Sequence, residues 1–129
     1  MNTKPFAALG IAFFLTTLVG CAASAPRPAI ISHVVFVELV DPADTAAVIA
    51  DCDAMLSTIP GVVSFAAGPP LDTGRDTVLA DYHVGLYIGF DTEADYTHYV
   101  NHPDHTGLVA KWKPRITALR VYDYQDVTP

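Results

Sequence analysis

The chain has 129 residues and a formal net charge of −7 at pH 7, from 7 basic and 14 acidic side chains. That length suits one domain. The acidic balance argues against nucleic acid, whose partners carry basic stripes, and against adhesion to anionic lipid through surface charge. Charged residues make up only 16% of the chain and are scattered, so they read as a solvated surface.

Residues 1–20 read as an export signal, not as part of a fold. A short basic start ending at Lys4 precedes an uncharged apolar run over 5–19. Leu18, Val19, Gly20 and Cys21 then match the bacterial lipobox: aliphatic, tolerant, small, cysteine. Cys21 is the expected lipidation site. Its thiol takes diacylglycerol and its new amine a further acyl chain, and more than one chain anchors stably where one does not. The competing readings are a secretory signal cut near Ala25 and an uncleaved anchor, although the run is short for a span of about 20 residues. Removing Lys4 takes the net charge to −8. Ala22, in place of an aspartate, favours the periplasmic face of the outer membrane if the envelope is Gram-negative. Residues 21–29 are small and proline-bearing, a short lipid-anchored tether. The domain spans 30–126, with a tail at 127–129. Cys52, the only other cysteine, has no intramolecular partner once Cys21 is lipidated, and is read as a core residue.

A first strand is expected over 31–40. His33, Val35, Val37 and Leu39 fall on one face and Val34, Phe36 and Val40 on the other, so it is apolar on both sides. Asp41 and Pro42 suit a helix cap and first position. Val48, Cys52, Met55, Leu56 and Ile59 then form a one-sided stripe, which Pro60 and Gly61 end. A second strand covers 62–67. Residues 68–79 make a long loop, either a functional lid or a plain surface loop. A third strand over 81–90 alternates Tyr82, Val84, Leu86, Ile88 and Phe90 with His83, Gly85, Tyr87 and Gly89. Asp91 is read as the cap of the next helix, with Tyr96, Tyr99 and Val100 inward and His98 outward. Pro103 disfavours helix at His102, so a break is expected there. A short helix with Leu108, Val109 and Trp112 inward follows, then a last strand over 116–124.

The order is β-α-β-β-α-β, the ferredoxin-like pattern: a four-stranded antiparallel sheet, the first and third strands central, with helices on one face. Nothing in the chain covers the other face. A homodimer closing two sheets into an α+β barrel answers that unpaired apolar area.

Several segments resemble the stress-responsive A/B barrel (Dabb) family. They are HVVFV at 33–37, IPG at 59–61, FAAG at 65–68, DYHVG at 81–85, YVNHPDH at 99–105 and VYDY at 121–124. The likeness covers about residues 31–126, and Tyr-x-x-His-Pro-x-His is its most specific part. It implies a dimeric α+β barrel, and most bacterial members have no assigned reaction. One plant member is a polyketide cyclase that uses no metal or organic cofactor. Its catalytic tyrosine and histidine match Tyr99 and His105, and other histidines of its pocket match His33, His83 and His102. That enzyme is cytosolic, whereas this chain carries an export signal, so the chemistry does not transfer with the motif.

His33 and His83 are expected on adjacent strands, on parities that can share a face with Tyr99 and His105. Tyr87 and His102 complete the expected pocket. His105 then suits proton abstraction beside a carbonyl and Tyr99 the developing enolate oxygen. The competing reading makes these histidines structural ties and Tyr99 a core residue. His98, His102, Asp104 and His105 have near-ligand spacing, but Pro103 interrupts the helix and His98 faces outward, so no metal is expected. The sequence thus points to an exported, lipid-anchored barrel domain that binds a small hydrophobic or aromatic molecule without a cofactor, in a role the family name links to stress. The alternatives are a cofactor-independent cyclase, lyase or isomerase using Tyr99 and His105, and a structural dimer with no ligand.

Overall fold

The computed structural model describes residues 25–128. The signal segment and Cys21 lie outside the described residues. Four strands form one antiparallel sheet: β1 (Ile31–Leu39), β2 (Val62–Gly68), β3 (Val84–Phe90) and β4 (Ile116–Gln125), in the order β2-β3-β1-β4. Three helices, α1 (Thr45–Leu56), α2 (Glu93–Asn101) and α3 (Pro103–Trp112), complete the ferredoxin-like fold.

The pairing register decides which residues share a face. His33, Val35 and Val37 oppose Ile88, Leu86 and Val84 on β3, and Asp123, Val121 and Leu119 on β4. On the helix side Val35, Val37, Leu39, Val84, Leu86, Ile88 and Phe90 are buried. From α1, Val48, Cys52 and Leu56 recur every four residues and pack on them, joined by Tyr99, Leu108 and Trp112. Each such apolar side chain contributes about 1.5–3 kcal/mol on burial. Among the described residues the core is closed between Ala29 and Ile116, so the domain from Ala25 onward carries its own core.

Among the described residues no helix covers the other face of the sheet. Phe36 is half-buried, with the Tyr82 and Tyr122 rings 4.7 and 6.3 Å away, but Tyr122 and Tyr124 remain 55% and 56% exposed.

The element ends follow local chemistry, with three departures from the sequence reading; β3, expected from 81, begins only at Val84. Asp41 caps a 3-10 turn (Pro42–Asp44), accepting from the Ala43 N–H, and α1 starts only at Thr45. Thr92, not Asp91, caps α2, because its side chain accepts from the Asp95 N–H. The expected break falls at His102, which is extended at φ −67°, ψ 139° between α2 and α3. Gly61 leaves α1 for β2 at φ +96°, a conformation that favours glycine.

Candidate functional site

A cavity of about 580 Å³ lies between the helix-side face of the sheet and the helices. Its floor is apolar, from Val35, Val37 and Leu86 below and Val48, Leu56 and Leu108 above. Its exposed rim is Val109, Lys113, Thr117 and Leu119, at the end of α3 and the start of β4. Three polar side chains also line it: His33, Tyr99 and His105.

The break at His102 brings the last two together. Six residues of unbroken helix would set Tyr99 and His105 about 120° apart and about 9 Å along the axis. Extended backbone at His102 redirects the chain, and the two rings lie 4.8 Å apart. His33 comes in from β1, its ring 5.8 Å from that of Tyr99.

His105 Nδ1 lies 3.0 Å from the Val100 carbonyl. A carbonyl only accepts, so Nδ1 carries the hydrogen and Nε2 keeps its lone pair. Burial, aided by the His33 charge and opposed by that carbonyl, lowers the His105 pKa below its ordinary value. The imidazole is therefore a neutral base at neutral pH. Burial, with smaller effects from Cys52 and Tyr96, holds the Tyr99 phenol well above its ordinary range. Tyr99 is a donor and not a base, and no described residue hydrogen-bonds its hydroxyl. His33 Nδ1 sits 2.6 Å from Asp123 Oδ1 and donates to the carboxylate. Tyr96 donates to the other carboxylate oxygen at 2.9 Å. Cys52 also lines the cavity, but burial pushes its thiol up to about 12, which leaves it unreactive.

Of the pocket residues expected from sequence, His33, Tyr99 and His105 meet in this cavity. The other three do not. His83 precedes β3, whose Gly85 sits on the sheet face opposite to that of His33, and its Nδ1 accepts from the Leu39 N–H at 2.8 Å, outside the cavity lining. Tyr87 is on that same outer face, its hydroxyl 3.1 Å from Ser32 Oγ. His102 caps α3, accepting from the Asp104 N–H at 3.2 Å. Asp123 and Tyr96 belong to the site but were not singled out from sequence. The signal was present in Asp123, an acidic residue on the inward parity of an otherwise apolar stretch of β4. Among the described residues no cluster of histidine, cysteine or carboxylate side chains is arranged to hold a metal ion.

An apolar cavity lined by a tyrosine and two imidazoles thus lies between the sheet and the helices of a ferredoxin-like α+β domain. The stress responsive A/B barrel domain model matches residues 31–126, and the chain belongs to that family. Among solved structures it is similar to a Dabb family protein with a ferredoxin-like fold from Mesorhizobium loti. The two are 28% identical over 76% of this chain and 97% of that one, with a TM-score of 0.63. A dimeric ferredoxin-like protein of unknown function from Thermobifida fusca is 21% identical over 74% and 90%, TM-score 0.63. A hydroxynitrile lyase from Passiflora edulis is 18% identical over 80% and 99%, TM-score 0.65. The last two likenesses concern the fold alone. Comparison with curated proteins returned no match.

Proposed function

We propose that this protein binds a small hydrophobic or aromatic molecule carrying a carbonyl or hydroxyl oxygen. The observation that carries this reading is the convergence of an unpartnered Tyr99 hydroxyl, the acceptor nitrogen of His105 and the His33 ring on an otherwise apolar cavity of about 580 Å³. The volume lies within the ordinary range of small-ligand sites. Tyr99 donates to the ligand oxygen while His105 accepts from a neighbouring O–H or acidic C–H. The test is native mass spectrometry of the protein purified from its own host, followed by titration of the recovered ligand. Trp112, the chain's only tryptophan, lines the cavity and reports occupancy by fluorescence. A retained ligand whose binding weakens in Tyr99→Phe supports the reading; an empty cavity that no aromatic or aliphatic carbonyl compound enters overturns it.

A second reading is a cofactor-independent lyase, cyclase or isomerase. The neutral His105, with Nε2 free beside a protonated Tyr99, supports it as a base and oxyanion donor pair. The hydroxynitrile lyase among the similar structures agrees with it. Turnover that disappears in both Tyr99→Phe and His105→Ala, with folding intact, separates enzyme from binder.

The open sheet face, bearing Phe36, Tyr122 and Tyr124, supports closure against a second copy into an α+β barrel, as does the dimeric description of the Thermobifida fusca protein. A monomer in sedimentation at micromolar concentration overturns it. The lipobox at 18–21 supports an exported domain anchored through Cys21, at the outer membrane in a Gram-negative envelope. Unchanged membrane retention of Cys21→Ser overturns that. A role in stress rests on the family description.

A further inference from the structure

We propose that the cavity takes an amphipathic carboxylate, its apolar body beneath the helices and its anionic head at Lys113. This inference rests on the ligand-binding reading of the same cavity and names the class of ligand.

Lys113 ends α3 and stands exposed on the rim. The basic side chains on either side of it are already engaged. Lys111 pairs with Asp51, and Arg115 lies 2.9 Å from the Asp44 carboxylate. Both also flank the Trp112 ring, at 5.4 and 5.3 Å from its centre. Elsewhere Arg120 pairs with Asp81 and Arg27 with Asp126. Among the described residues only Lys113 and Arg75 stand outside an ion pair, and Arg75 lies in the exposed loop before β3, away from the cavity.

In an acidic chain, a basic residue left unpaired at the mouth of an apolar cavity has a specific electrostatic consequence. The two adjacent ion pairs are each neutral, so Lys113 sets the sign of the rim. Apolar walls focus its field on whatever enters. A carboxylate fits this arrangement better than a phosphate. The rim offers one point charge and no free guanidinium fork. The backbone there is the C-terminal, negative end of α3, which does not cradle a dianion. The head is therefore held by the ammonium alone, at the end of its flexible stem. The apolar body reaches past Val37 and Leu56 toward Tyr99, which meets an oxygen at the ligand's inner end.

The test uses the soluble protein beginning at Ala25, with decanoate, decan-1-ol and decylamine as probes and Trp112 fluorescence as readout. Decanoate is expected to bind tightest. Lys113→Met should weaken decanoate about fivefold, the scale of a rim ion pair, and leave decanol within about twofold. Lys113→Glu should reverse the order in favour of decylamine. Arg75→Gln, which removes a distant charge, should change nothing. Equal binding of decanoate and decanol, or an equal loss in Arg75→Gln and Lys113→Met, overturns the carboxylate assignment and leaves the cavity reading standing. Failure of every probe to bind overturns both.

Discussion

Replacing Tyr99 by phenylalanine separates a hydroxyl kept for a ligand from one kept for the fold. Tyr99 is 1% exposed and packs its ring against Phe90, His33 and His105. A buried hydroxyl without a partner costs the fold about 1–3 kcal/mol. Here the hydroxyl borders the cavity, where water can reach it, so the cost sits at the low end. Tyr99→Phe should therefore leave unfolding free energy unchanged or raise it by up to about 1 kcal/mol. Tyr99→Ala, which strips the ring from the core, should cost about 3–5 kcal/mol. Urea titration reads both, through the midpoint at constant m. In a domain of this size 1 kcal/mol moves Tm by about 4–8 °C. The same Tyr99→Phe should weaken an oxygen-bearing ligand by up to about tenfold, the loss of one hydrogen bond. A Tyr99→Phe protein destabilised by more than about 1 kcal/mol, with binding intact, would refute the reasoning: the hydroxyl would then serve the fold.

Three further outcomes follow from particular contacts. Asp123→Asn removes the charge from the hydrogen bonds to His33 and Tyr96, and should cost about 1.5 kcal/mol in urea, at the low end for charged pairs because Asp123 is 45% exposed; a neutral result means that His33 is held by packing alone. The His105 pKa is lower in the native state than in the unfolded chain, so below about pH 6.5 the unfolded chain binds more protons. Stability should therefore fall as pH drops through the ordinary histidine range and level off below the native value. His105→Gln should remove that slope in unfolding measured between pH 7.5 and 5, and an unchanged slope would count against a buried neutral imidazole. A Cβ at Gly89 would meet Ser64 Oγ at 2.1 Å and the Ala29 side chain at 2.5 Å. Gly89→Ala should cost about 1–3 kcal/mol in thermal or urea unfolding, and a neutral variant would show that this corner of the sheet gives way.

What could be read from the sequence was local or periodic. The two-sided apolar pattern of residues 31–39 marked a central strand, and the Pro103 rule placed the helix break that joins Tyr99 to His105. What could not be read was the phase of one strand against another. His33 lies within β1, but His83, expected in the third strand, falls just before β3 begins at Val84. Which way each imidazole turns is settled between strands: the register sets His33 opposite Ile88, and the Leu39 N–H of β1 donates to the His83 ring. Asp123 escaped notice for the same reason: its partner is 90 residues away and is chosen by the β1–β4 pairing. Capping at Thr92 over Asp91 is a one-residue choice made by the hydrogen bond to Asp95, which composition does not resolve.

The cavity's rim and the chain's point of entry lie at opposite ends of β1. The polypeptide arrives at Ile31, where the Asp126 N–H donates to the Ile30 carbonyl and Arg27 bonds the Thr128 carbonyl, so both ends of the domain are pinned to one edge. The rim lies beside Leu39 and Ile116, eight strand steps away, or about 26 Å. Attachment through residue 25, at the other end of β1, therefore leaves the rim clear for an immobilised binding assay.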